Sequence, residues 1–90
     1  MAKKRDRLEV IYDIAYTIMS NKNACNPTKI LYKSNLSHQM MQQYFDFLIE
    51  KGFITMTDDG RSKVYSLTDK GFEYIEKYKM IKEFTESFDL

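Results

Sequence analysis

Cys25 and His38, residue types that serve as nucleophile, base or metal ligand, each occur once in this 90-residue chain. A nucleophile needs a base within reach and a third group that orients the base. A zinc site needs four N, S or O ligands at short spacing. A proline-started segment separates Cys25 from His38, and no Cys, Asp or Glu stands at ligand spacing around the histidine. The expectation is therefore a protein that is not an enzyme and takes no metal and no cofactor. A different chemistry gathers in Ser37, His38, Gln39, Gln42 and Gln43. A glutamine amide pairs bidentately with adenine N6 and N7, and a serine hydroxyl or an imidazole donates or accepts at a base edge. Side chains suited to phosphate contact are Lys3, Lys4 and Arg5, with Arg7 behind them, then Lys29 and Lys33, then Arg61 and Lys63.

The elements that must carry these residues follow from apolar spacing and punctuation. Leu8, Ile11, Ala15 and Ile18 recur at helical period, with Tyr12, Tyr16 and Met19 on a neighbouring strip, which predicts a helix over 5–20. The polar run SNKNACN ends it. Asn26-Pro27 then supplies an N-cap and a proline at the first helical position, starting a short helix over 27–34. After Asn35 and Leu36, Ser37 caps a third helix over 38–51. On a helical wheel Met41, Phe45 and Leu48 centre its apolar side, Tyr44, Met40 and Phe47 extend it, and Gln42, Asp46, Gln39, Glu50 and Gln43 share a polar arc of about 100°. Gly52 suits the left-handed residue that stops this helix, with Phe53 set against Leu48. The stretches FITMT (53–57) and KVYSL (63–67), separated by DDGRS, predict a β-hairpin turning at Asp59-Gly60. Thr68 and Asp69 begin a last helix that reaches Phe88 and spans about 31 Å, long for so small a domain.

Fourteen Lys and Arg against thirteen Asp and Glu leave a net charge of +1, which excludes polyanion binding by bulk charge. The charge is polarised: residues 1–35 hold seven basic and three acidic side chains, residues 36–90 seven and ten. A lone cysteine makes no internal disulfide and fits a reducing, cytoplasmic setting. The apolar stretch LEVIYDIAYTIM is broken by Glu9 and Asp13, which argues against a signal peptide or a membrane span.

Helix, short helix, tight turn, longer helix and hairpin is the order of a winged helix-turn-helix, an α+β and mostly α fold. The segments LYKSNLSHQMMQQYFDFLIEKGFI and VYSLTDKGFEYIEKYKMIKEF make the chain resemble the small archaeal winged-helix DNA-binding proteins over nearly its whole length. The family's hydrophobic frame falls on Leu36, Met41, Phe45, Leu48, Phe53 and Ile54, its turn on Gly52, and its junction on Leu67, Thr68 and Gly71. The resemblance implies an α-α-α-β-β-α fold, double-stranded DNA as partner in a regulatory or chromatin role, and dimerisation through the last helix. Relatives often carry Lys or Arg on the exposed face of the third helix where this chain has three glutamines.

Residues 1–67 are expected to form the winged domain, with 68–90 a dimerisation helix continuous with it. Phe72 and Ile75 are expected to cover the domain's own core. Tyr78, Ile81, Phe84 and Phe88 continue as an apolar strip that a partner helix would bury, giving a homodimer. Met40, Met41 and Met56 are assigned to the core or its edge, and Cys25 to packing beside Pro27. The reading is a cytoplasmic, nucleoid-associated DNA-binding protein: Ser37, His38, Gln39, Gln42 and Gln43 meet bases, while Lys29, Lys33, Arg61, Lys63, Lys3, Lys4 and Arg5 meet the backbone. The alternative is a winged helix that binds a protein instead of DNA.

Overall fold

The computed structural model describes residues 6–58 and 60–88. In chain order the elements are α1 (Arg7–Ser20), α2 (Pro27–Ser34), α3 (His38–Glu50), β1 (Ile54–Asp58), β2 (Lys63–Leu67) and α4 (Asp69–Ser87). The expected α-α-α-β-β-α order is present. Four N-caps set the helix starts. Asp6 accepts from the Glu9 N–H at 2.8 Å, Asn26 from Lys29 at 2.9 Å, Ser37 from Met40 at 3.2 Å and Thr68 from Gly71 at 3.2 Å. The cap at Asp6 explains why α1 begins at Arg7 and not at 5.

The end of α3 is a Schellman stop. Gly52 has φ +80°, its N–H donates to the Ile49 carbonyl at 3.1 Å, and the Phe53 N–H donates to the Leu48 carbonyl at 2.9 Å. Because Phe53 is spent in this turn, β1 starts one residue later than FITMT implies. It pairs antiparallel with β2, from Ile54 opposite Leu67 to Asp58 opposite Lys63. Gly60, at φ +89°, donates to Asp58 Oδ1 at 2.9 Å and turns the hairpin.

An isolated β-bridge lies where the sequence suggested only a helix end. Cys25 exchanges both main-chain hydrogen bonds with Tyr65, at 3.0 and 2.8 Å. Just before it Lys22 and Asn23 take left-handed φ values, and Asn23 Oδ1 accepts from the Leu67 N–H at 2.7 Å. The 21–25 turn is thus a strap across β2.

The core is built from Ile14, Ile18, Ile30, Met41, Phe45, Leu48, Ile54, Tyr65, Leu67 and Ile75, with Val10, Ile11, Ala15 and Cys25 around them. The Phe45 and Tyr65 rings meet at 4.2 Å. Several expected positions differ. On α1 the buried stripe runs through Val10, Ile11, Ile14, Ala15 and Ile18, and Leu8 is exposed because the first turn of α1 reaches the rim facing α4. Met40 and Met56 are exposed, leaving Met41 as the core methionine of that group. Phe72 also lies outward. The buried face of α4 is Gly71 and Ile75, flanked by half-buried Tyr74 and Tyr78. Gly71 has its own reason: a Cβ there would drive into the Phe53 carbonyl oxygen, so only glycine lets α4 approach the start of β1 this closely.

Candidate nucleic-acid interface

The packing of α3 decides which of its residues reach solvent. Met41, Phe45 and Leu48 are locked in the core, and Ser37, His38, Gln39, Gln42, Gln43, Asp46 and Glu50 are all exposed. All five expected base-reading residues therefore lie outside the core, four on α3 and Ser37 at its N-cap. They are not equally free. The Ser37 hydroxyl is engaged as the N-cap. Gln42 Nε2 donates to Asp46 Oδ1 at 3.1 Å, one turn along the helix.

One flank of α3 is cationic and aromatic. The Arg7 guanidinium lies 4.2 Å from the Phe47 ring centre, and the Lys51 ammonium approaches the same ring at 5.8 Å. Arg7, Met40, Gln43, Tyr44 and Phe47 border a cleft of about 260 Å³. Sequence reasoning grouped Arg7 only loosely with the N-terminal basic residues. Nothing local announces its pairing with Phe47, which lies 40 positions away on another helix.

Lys29 and Lys33 are exposed on α2, where they border a cleft of about 290 Å³ with Tyr16, Thr17, Ser20 and Asn21. Lys29 Nζ donates to Asn21 Oδ1 at 2.9 Å. This cleft lies between α1 and α2, and no α3 side chain lines it. Arg61 and Lys63 are exposed in the wing, with Lys63 in register with Asp58. Lys3, Lys4 and Arg5 lie outside the described residues.

On α4, Tyr78 stacks on Tyr12 of α1 with ring centres 4.7 Å apart, so much of it is covered by its own domain. Farther along, Ile81, Phe84 and Phe88 are 63%, 60% and 63% exposed, and the Phe84 and Phe88 rings meet at 4.9 Å. Leu8, Phe53, Tyr74, Tyr78 and Ile81 line an apolar groove of about 380 Å³ at the base of this strip.

Cys25 is fully buried, and burial pushes its thiol up from the ordinary value, with the nearby Lys29 charge opposing in part. A raised thiol is the reverse of what a nucleophile needs. Among the described residues no group of three or more His, Cys, Asp or Glu could hold a metal ion, and no helix is long and apolar enough to cross a membrane.

The family described as winged helix-turn-helix matches residues 4–86. A protein of Methanocaldococcus jannaschii, MJ0290, is 32% identical over 78 residues, which is 87% of this chain and 34% of that one. The chain thus spans about a third of the curated relative it matches. Among solved structures, Sso10a-2, a DNA-binding protein from Sulfolobus solfataricus, superposes with a TM-score of 0.76 at 25% identity, covering 94% of this chain and 90% of its own. AF1382 from Archaeoglobus fulgidus gives 0.74 at 26% identity, covering 88% and 86%.

Proposed function

The chain belongs to the winged helix-turn-helix family, and from that premise we propose that it is a double-stranded DNA-binding protein with a regulatory or chromatin-associated role in the nucleoid. The observation that carries this reading is the division of α3, whose apolar side is fixed in the core while Gln39, Gln42, Gln43 and His38 stand in solvent. A helix held this way can lie in the major groove with its first two turns toward base edges. Lys29, Lys33, Arg61 and Lys63, together with Lys3, Lys4 and Arg5, serve the phosphates. Sso10a-2 is a DNA-binding protein of the same fold, which supports the assignment.

The active form is a homodimer. Ile81, Phe84 and Phe88 form a strip that a single copy leaves in water, and a second α4 packed antiparallel would cover it. Tyr78 sits at the edge of that seam, already stacked on Tyr12. Along α4, Lys77, Lys79 and Lys82 follow Glu76 and precede Glu83 and Glu86. Antiparallel pairing can set opposite signs against each other.

A titration of duplex DNA at two salt concentrations tests the function. Binding that weakens with salt, with a log-log slope of about −0.9 per phosphate contact, is expected. Asp46 and Glu50 on the exposed face favour the rival, a protein-binding winged helix, and absence of salt-dependent DNA binding would overturn the first reading.

A further inference from the structure

Gln42 and Asp46 stand one turn apart on the exposed face of α3, joined from Nε2 to Oδ1 across 3.1 Å. An ionised carboxylate only accepts, so this bond exists in one of the two flip states of the glutamine amide, with the nitrogen toward Asp46. In that state Oε1 and the second N–H remain for a partner. One acceptor beside one donor complements N6 and N7 of adenine and mismatches guanine, which presents two acceptors, N7 and O6. The opposite flip would set the carbonyl of Gln42 against the Asp46 carboxylate.

We propose that Asp46 is a positioning residue for sequence reading, holding the Gln42 amide in the flip state that recognises adenine. This rests on the reading of α3 as the DNA-facing helix. It also accounts for an acid on that face: its charge opposes phosphate on every sequence alike, whereas its hydrogen bond acts on one base pair. The two effects are separable.

The test substitutes Asp46→Asn, which preserves size and lets the side chain donate as well as accept, so that either flip state of Gln42 finds a partner. Bound sequences are selected from a randomised duplex pool by the wild type, by Asp46→Asn and by Gln42→Ala, the last marking the base pair that Gln42 reads. The expected result is an adenine preference at that pair in the wild type that falls about tenfold in Asp46→Asn, while affinity for unrelated duplex rises with the loss of the charge. An Asp46→Asn protein that binds every sequence more tightly and keeps its full adenine preference would overturn the positioning role and leave the DNA-binding reading standing. A wild type that selects no sequence would overturn the base-reading role of α3, and this inference with it.

Discussion

The Tyr74 hydroxyl donates to the Leu8 carbonyl across 2.7 Å, tying α4 to the first turn of α1. Burial, then the neighbouring Tyr78 and the Asp6 carboxylate, push the Tyr74 hydroxyl up to about 12 from its ordinary value of 10. A folded-state value above the unfolded one means that the folded protein holds this proton more tightly. The stability it contributes is whole below pH 10 and is lost as the pH rises toward 12. Tyr74→Phe is expected to cost about 0.5–1.5 kcal/mol near neutral pH. Urea midpoints for the two proteins should then converge across that alkaline window; a constant difference would contradict the assignment.

Gly71→Ala sets two effects against each other. Alanine is favoured in a helix by about 1 kcal/mol. Its Cβ, however, meets the Phe53 carbonyl, which is itself held by the Thr68 N–H at 3.0 Å and the Thr68 hydroxyl at 3.1 Å and so has little room to yield. The clash should win, with a net loss of about 1–3 kcal/mol in chemical denaturation.

Gln39→Ala and Gln42→Ala are expected to weaken discrimination at their cognate base pairs by about 1–3 kcal/mol each, with thermal stability unchanged. Competition binding against single-base variants of a selected site measures this. Undiminished discrimination in both variants would remove α3 from base reading.

Lys33→Ala and Arg61→Ala should each reduce binding to all duplexes alike and flatten the salt slope by about 1. Lys29→Ala should do the same, and since Lys29 also bonds Asn21 at 2.9 Å its stability should be measured beside its affinity. A variant that binds less tightly with an unchanged slope has lost something other than a phosphate contact.

Phe84→Glu places a charge in the strip that a second α4 would cover. Sedimentation is expected to show a dimer for the wild type at micromolar concentration and a folded monomer for the variant. DNA affinity should fall about a hundredfold as the paired half-sites are lost. A monomeric wild type would refute the α4 seam.

What the sequence disclosed and what it hid divide by distance along the chain. The caps at Asn26, Ser37 and Thr68 and the stop at Gly52 involve partners three to five residues away, and each was legible from residue type and spacing. The exposed glutamine face of α3 followed from periodicity in the same way. Periodicity does not say where the neighbouring element lies, and the buried stripes of α1 and α4 were accordingly misplaced at Leu8 and Phe72. The pairings of Cys25 with Tyr65 and Arg7 with Phe47 join residues 40 positions apart, and Asn23 reaches Leu67 across 44. Such contacts depend on how packed helices bring distant backbone together, which no local pattern encodes. The Gln42–Asp46 bond is local, four residues along one helix, yet the sequence reading set the two only on a common polar arc.

The strap that Asn23 and Cys25 lay across β2 bears on the timing of synthesis. Its receiving groups, at Tyr65 and Leu67, are made 40 to 44 residues after the turn that needs them. At about 5–20 residues per second the turn waits roughly two to nine seconds on the ribosome without its partner. During that interval α2 and α3 are themselves being made, and the apolar face of α1 lacks both β2 and Ile75. Until the hairpin arrives, the left-handed residues Lys22 and Asn23 are held only by the bonds that Asn21 and Ala24 exchange across their own turn. The strap can therefore close only once the hairpin has been added.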